Sequence, residues 1–192
     1  MVSLQKGQAI SLTKKDGGAL KRVAMGTGWD GVKKKGGFFG MGGGKADIDL
    51  DASAIVYKGK SIVDQIWFRQ LASLDGNIVH SGDNRSGDGD GDDETINVDL
   101  SRLAQDVTAV AFTVNSFSGQ GFSEVENAYT RLVDLETGAE IARYSLSDTG
   151  PHTALIMAVI KRDGAGWTMK AIGERSNGRT FHDMQAQIET HL

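Results

Sequence analysis

A chain of 192 residues can bury one sizeable core and requires no second domain, so residues 1–192 read as a single unit. A net charge of −4 argues against a general nucleic-acid binder, which shows a basic balance or stripe. The absence of cysteine excludes disulfides, thiolate metal sites and cysteine nucleophiles, and the start MVSLQKGQAI lacks the basic-then-apolar pattern of a signal peptide. No apolar run approaches the roughly 18 residues that span a bilayer, so the expected location is the cytoplasm.

Glycine is the anomaly, with 26 residues against the single Pro151. The first glycine-rich segment, residues 31–45, reads GVKKKGGFFGMGGGK. Six of its nine residues from Gly36 to Gly44 are glycine, and backbone entropy opposes a fixed structure there. It is not a phosphate loop: Phe39 stands where a Walker loop needs glycine, and Ala46 follows Lys45 in place of a hydroxyl residue. The segment reads as a flexible surface loop, with Lys33, Lys34, Lys35, Phe38 and Phe39 offering a weak contact to a partner or a membrane surface.

Beyond it the pattern has period two, which predicts strands. In Ala46–Tyr57, Ile48, Leu50, Ala52 and Ala54 share one face while Asp47, Asp49, Asp51 and Ser53 share the other. Ile62–Phe68 and Ile78–His80 flank a turn at Asp75-Gly76-Asn77, and Ile96, Val98 and Leu100 alternate. Val107–Val114 is a nearly continuous run of β-formers, as expected of a central strand buried on both faces. Tyr129–Asp134 with Glu140–Leu146, and Ala154–Lys161 with Trp167–Gly173, predict hairpins turning at Thr137-Gly138 and Asp163-Gly164. Thr180–Leu192 predicts a helix with Phe181, Met184 and Ile188 on one side. About ten short strands with little helix predict an all-β fold, an antiparallel β-sandwich of two sheets with a short C-terminal helix.

Between these strands lies Gly82–Glu94, GDNRSGDGDGDDE. Six acids and one base give it −5, so the rest of the chain sums to +1 (−4 minus −5). Such repulsion is tolerable in a loose solvated loop or around a cation. Asp88-Gly89-Asp90-Gly91-Asp92 supplies carboxylates at every second position, with glycines that let carbonyls approach. That suits a hard cation seeking about six to eight oxygen ligands. The loop is no EF-hand, because Asp93 falls where glycine is needed counting from Asp88. Zinc and copper fit poorly, since the loop holds no histidine or cysteine and His80 precedes it by two residues. The row Asp47, Asp49, Asp51 adds carboxylates about 6.6–7 Å apart along one strand face, which a shared cation would reconcile. Asp30, just after Trp29, is a further candidate ligand.

Taken together, Gly28-Trp29-Asp30, the run Asp47 to Ser53, His80 to Asn84, Gly91 to Glu94, Glu124 to Tyr129 and Glu140 to Tyr144 resemble the TerD family of tellurite-resistance and stress proteins. The resemblance covers nearly the whole chain. The Lys33–Lys35 and glycine insertion, with Thr113 to Phe117, is closer to the TerZ-like branch than to TerD itself. The resemblance implies a β-sandwich that binds two Ca2+ ions. By position it implicates Asp49 and Asp51 from the strand, with Asp83, Asp90, Asp92, Asp93 and Glu94 from the loop; Asn84 stands beside them as a candidate. Many members carry Glu-Gly-Glu where this chain has Asp88-Gly89-Asp90, so the reach is one methylene shorter at unchanged charge.

The resulting expectation is a non-enzymatic calcium-binding module of a bacterial-type tellurite-resistance or stress response, acting through protein partners and not through nucleic acid. Two alternatives remain: a metal-dependent hydrolase using the same acids, and a module in which calcium is purely structural. His152, His182 and His191 lie far from the acidic segments in sequence and read as surface or capping residues.

Overall fold

The structure, a computed structural model, describes residues 2–3, 8–12, 19–31, 48–87, 91–145, 150–164 and 166–192. Asp47, Asp88, Asp90 and the glycine-lysine segment beyond Gly31 lie outside these residues. The described chain folds into twelve strands: β1 (Val2–Ser3), β2 (Ala9–Ser11), β3 (Arg22–Gly31), β4 (Leu50–Lys58), β5 (Ser61–Ile66), β6 (Ile78–His80), β7 (Glu94–Asp99), β8 (Ala109–Ser116), β9 (Val125–Asp134), β10 (Glu140–Ser145), β11 (Ala154–Asp163) and β12 (Gly166–Ser176). They form two six-stranded sheets, in the orders β1-β10-β9-β3-β7-β6 and β2-β12-β11-β8-β4-β5. Every pairing is antiparallel except β1 with β10. The expected sandwich is the observed fold. Among the described residues no helix is long and apolar enough to cross a membrane.

The core lies between the sheets, filled by Val23, Met25 and Trp29 of β3, Ile96 and Val98 of β7, Val110, Phe112 and Val114 of β8, and Leu132 of β9. Strand β7 alternates strictly, with Glu94, Ile96 and Val98 inward, so its one carboxylate on that face is drawn inside. All of β8 is buried, as its run of β-formers predicts, because β4 and β11 flank it and both faces are covered. The predicted hairpins β9–β10 and β11–β12 form, with Gly138 and Gly164 at φ 71° and 57° in their turns.

Two expectations change. The strand expected over Ala46–Tyr57 begins at Leu50 among the described residues, and its face bearing Asp51 and Ser53 is buried. Further along that face, Ile55 and Tyr57 pack beneath Phe181, Met184 and Ile188 of the C-terminal segment. That segment is a 3-10 turn, Phe181–Met184, followed by the short α1, Gln185–Glu189, rather than one helix over 180–192. Strand β3 carries no period-two signal, because Gly26, Gly28 and Gly31 interrupt it, yet it lies between β9 and β7.

Candidate metal centre

The acidic segments meet at one end of the sandwich. Strand β5 pairs with β4 only from Ala54 onward, so the edge of β4 at Ala52 has no strand neighbour on that side. Two buried side chains from the other sheet take over. Glu94 accepts the Ala52 N–H at 2.7 Å through Oε2, and His80 Nε2 lies 3.2 Å from the Ala52 carbonyl oxygen. His80 Nδ1 accepts the Gly82 N–H at 3.1 Å, which puts the ring proton on Nε2, facing that carbonyl and Glu94 Oε2 at 3.4 Å. Both ring nitrogens are thus committed. Glu94 Oε1 also accepts the Asn84 N–H at 3.1 Å, so this buried carboxylate ties the loop, β4 and β7 together.

Asn84 is the loop's second knot. Its amide oxygen accepts the N–H groups of Ser86 and Gly87, both at 3.1 Å, and its Nδ2 donates to Asp93 Oδ1 at 3.0 Å. Asp93 Oδ2 in turn accepts the Trp29 N–H at 2.8 Å, while Trp29 Nε1 donates to the Ile48 carbonyl at 2.9 Å, just before Asp49. Gly87, at φ 63°, is required here: a Cβ would come within 2.4 Å of Trp29 Nε1.

Beside Asp93, Asp92 turns to the outer face of the first sheet. It receives Arg131 Nε at 2.8 and 3.0 Å on its two oxygens and the Tyr129 hydroxyl at 3.0 Å. The glycines of β3 make this possible, since a Cβ on Gly28 would meet the Gly91 carbonyl at 2.5 Å and one on Gly26 would overlap the Asp92 carboxylate. Asp30 accepts Asn127 Nδ2 at 2.7 Å across the β3–β9 bulge, from a residue at φ 52°.

What remains is Asp49, Asp51 and Asp83, whose carboxylate oxygens converge within 4.8 Å of one another. Asp49 is held by its backbone: its carbonyl accepts the Phe117 N–H at 2.9 Å, and its N–H donates to Ser118 Oγ at 3.2 Å. Asp51 is 5 % exposed, and its Oδ2, like Oδ1 of Asp49, is buried without a hydrogen-bond donor. Burial is the main cause that pushes the Asp51 carboxyl up to about 8, with the charges of Asp49, Glu94 and Asp83 adding to it. Asp49 is raised by burial and by Asp83, partly opposed by Arg85. Asp93 is raised chiefly by burial, against the Trp29 N–H that favours its charged form.

These residues fit a hard divalent cation. Buried carboxylate oxygens facing one another without donors are costly, and a cation relieves both the repulsion and the missing bonds. Of the sequence candidates, Asp49, Asp51 and Asp83 converge, with orphaned buried oxygens on the first two and Asp83 exposed. The charge of Asp30 adds to the burial that raises Asp93. Asn84, Asp92, Asp93 and Glu94 engage their side chains in internal bonds. Sequence reasoning missed Ser118 and Phe117, which fix Asp49, and Arg131, which claims Asp92; none carries a local signal. It also misread His152, which is 7 % exposed and stacked edge-on against Phe122 at 5.2 Å rather than a surface residue. His182 is exposed against Trp67, and His191 pairs with Glu174 at 2.7 Å.

The same chain is matched over residues 1–186 by the TerD domain family profile. It is 51% identical to the tellurium resistance protein TerZ of Serratia marcescens, over 98% of this chain and 97% of that one. Identity to the stress response protein SCP2 of Bacillus subtilis is 39%, covering 95% and 96%. Against the tellurium resistance protein TerD of Serratia marcescens it is 35%, covering 90% of each, so the affinity for TerZ that the lysine-glycine insertion suggests is borne out. The fold is shared with the crystal structure of a TerD homologue from Streptomyces coelicolor, with a TM-score of 0.72 at 21% identity, covering 89% of this chain and 98% of the other. The chain belongs to the TerD family of tellurium-resistance and stress-response proteins.

Proposed function

We propose that this chain is a calcium-binding module without enzymatic activity, working in the cytoplasm through protein partners. The observation that supports it most is Asp51: a buried carboxylate with an orphaned oxygen, aimed at two further carboxylates. Asp49, Asp51 and Asp83 would hold one ion, with backbone carbonyls and water completing the six to eight oxygens calcium takes. Asp30 and Asp93 are the described residues that would contribute to a second, alongside Asp88 and Asp90. Charge neutralisation at the end of the sandwich is the chemistry the ion supplies. His80, the histidine beside the cluster, has both ring nitrogens engaged and offers no free base, which favours a binding role over hydrolysis. Relatives named for tellurium resistance and for stress response supply the physiological setting. An oxyanion such as tellurite would be repelled by the acidic end, so the proposed role runs through partners rather than direct capture.

Calorimetric titration with calcium and with magnesium tests this. The expected result is saturable calcium binding at micromolar concentration or tighter, with magnesium weaker because it demands a smaller octahedral shell. Millimolar calcium affinity would leave calcium a purely structural role; no heat and no thermal shift would end the metal reading altogether.

A further inference from the structure

Beside the acidic cluster lies a surface of the opposite character. After β5 the chain makes a tight turn, with Trp67 and Gln70 exchanging backbone hydrogen bonds at 3.0 and 2.9 Å, which presents Phe68 and Arg69 at its tip. The Arg69 guanidinium carbon sits 5.4 Å from the Trp67 ring and 5.2 Å from the Phe68 ring. Phe68 meets Phe117 edge-on at 5.3 Å, and Arg179 lies over Phe117 at 5.1 Å with its Nε donating to the Phe117 carbonyl at 2.7 Å. Two exposed guanidiniums therefore flank a ridge of two half-buried aromatic rings. Phe117 is also the residue whose N–H binds the Asp49 carbonyl, so ridge and acidic cluster are contiguous.

Stacking engages the flat face of each guanidinium and restrains its rotation, while N–H edges remain free to meet a carboxylate in a bidentate fork. Among the described residues neither Arg69 nor Arg179 has an acidic partner within ion-pair distance. That contrasts with Arg131 and Arg143, which are stacked or restrained in the same way but paired with Asp92 and Glu140. A long polyanion fits less well than a short acidic segment, because a nucleic-acid backbone or an anionic membrane would extend its charge over Asp49, Asp51 and Asp83 beside the ridge, whereas a few carboxylates can stay on the two guanidiniums. Two separate cations with an apolar bed between them complement a short segment in which acidic residues bracket an apolar side chain.

We propose that Arg69, Phe68, Phe117 and Arg179 form a docking surface for an acidic segment of a partner protein. Its carboxylates pair with the two guanidiniums, and its apolar side chain lies on the Phe68–Phe117 ridge. This deepens the partner reading above and rests on it.

The test is fluorescence anisotropy with the intact chain and a labelled peptide in which acidic pairs flank Phe-Leu, in calcium and in chelator. Saturable binding is expected, weakened about tenfold by Arg69→Ala, the amount lost with one charge-assisted contact. Replacing Phe-Leu by Ser-Ser in the peptide should weaken it comparably. Arg69 makes no backbone hydrogen bond in the described structure, so its variant tests docking without loosening Phe117, and a melting curve checks that it folds. No saturation by about 1 mM peptide overturns the proposal, as does equal binding by Arg69→Ala. Tighter binding to single-stranded oligonucleotides, or to vesicles containing about 30% phosphatidylserine, overturns it in favour of those partners. Calcium titration of Arg69→Ala should match the parent chain; if calcium binds and the peptide does not, the docking surface alone falls.

Discussion

Asp92 and Glu140 on the outer face of the first sheet, and Asp49 and Asp51 at the end of the second, are all carboxylates drawn partly or wholly out of water. Among the described residues only the first pair is salt-bridged, while Arg85 opposes the rise of Asp49 without forming an ion pair with it. Arg131 lies across from Gly26 in the β3–β9 register, so its guanidinium reaches Asp92 at 2.8 Å and Glu140 at 3.3 Å; Arg143 closes on Glu140 at 2.7 Å and stacks on Tyr129 at 4.0 Å. Bonds from Arg143 and then Arg131 hold the Glu140 carboxyl below its ordinary range, whereas burial pushes Asp51 up to about 8. Acid count therefore does not identify a ligand. What distinguishes the two regions is whether a guanidinium on a neighbouring strand falls in register with the acid.

The largest expected effect breaks the unpaired side of that comparison. Asp49→Asn with Asp51→Asn should abolish the calcium-dependent rise in melting temperature, worth about 2.7 kcal/mol in the parent chain at a hundredfold excess over Kd. In chelator the same variant should melt higher than the parent, because its amides remove the repulsion. A retained calcium response would sink the assignment of the cluster. Next comes Gly28→Ala, whose methyl must displace the Gly91 carbonyl now 2.5 Å away from its position. A loss of about 2 kcal/mol in urea melts is expected, together with weaker calcium binding as the loop shifts. An unchanged melt would show that the loop does not bear on β3.

Asp92→Ala acts on the paired side. It strips Arg131 Nε of the carboxylate whose two oxygens share its bond and frees the loop from Tyr129, so stability should fall by about 1–2 kcal/mol, equally with and without calcium. A loss seen only with calcium would make Asp92 a ligand and erase the distinction between the two regions.

The fold was legible wherever a local pattern carried it: the alternation of β7, the buried run of β8, and the Thr137-Gly138 and Asp163-Gly164 turns. Strand β3 was not, because the glycines that hide its period are there for a loop more than sixty residues away. The site was legible as charge and not as geometry. Asp49, Asp51 and Asp83 could be nominated from spacing and family resemblance, but so could Asp92 and Glu94. Glu94 accepts the N–H of Ala52, 42 residues earlier, only because β5 stops short of that edge. Such a vacancy arises from strand lengths in the assembled sheet, and no local residue pattern announces it.

The smallest effect is that of Glu140, and its pH dependence runs opposite to that of Asp51. A depressed carboxyl stabilises the fold above its unfolded value, near 4.5 for Glu140, and loses that contribution as pH falls through its lower folded value. A raised one does the reverse: Asp51 contributes fully below 3.8, and the contribution drains away as pH climbs through about 8. Calcium-free protein should therefore lose stability from Asp51 between about pH 4 and 8, a limb that Asp51→Asn flattens. Glu140→Gln should leave that limb intact and cost about 0.5–1 kcal/mol at pH 7, since its arginines are partly exposed. That cost should shrink as pH falls below 4.5 through the lower folded value of Glu140, where the parent carboxyl is itself being protonated. Urea melts in chelator across this range measure both. If the Glu140→Gln deficit persists undiminished in acid, packing rather than charge is what Glu140 contributes, and the contrast with Asp51 is not electrostatic.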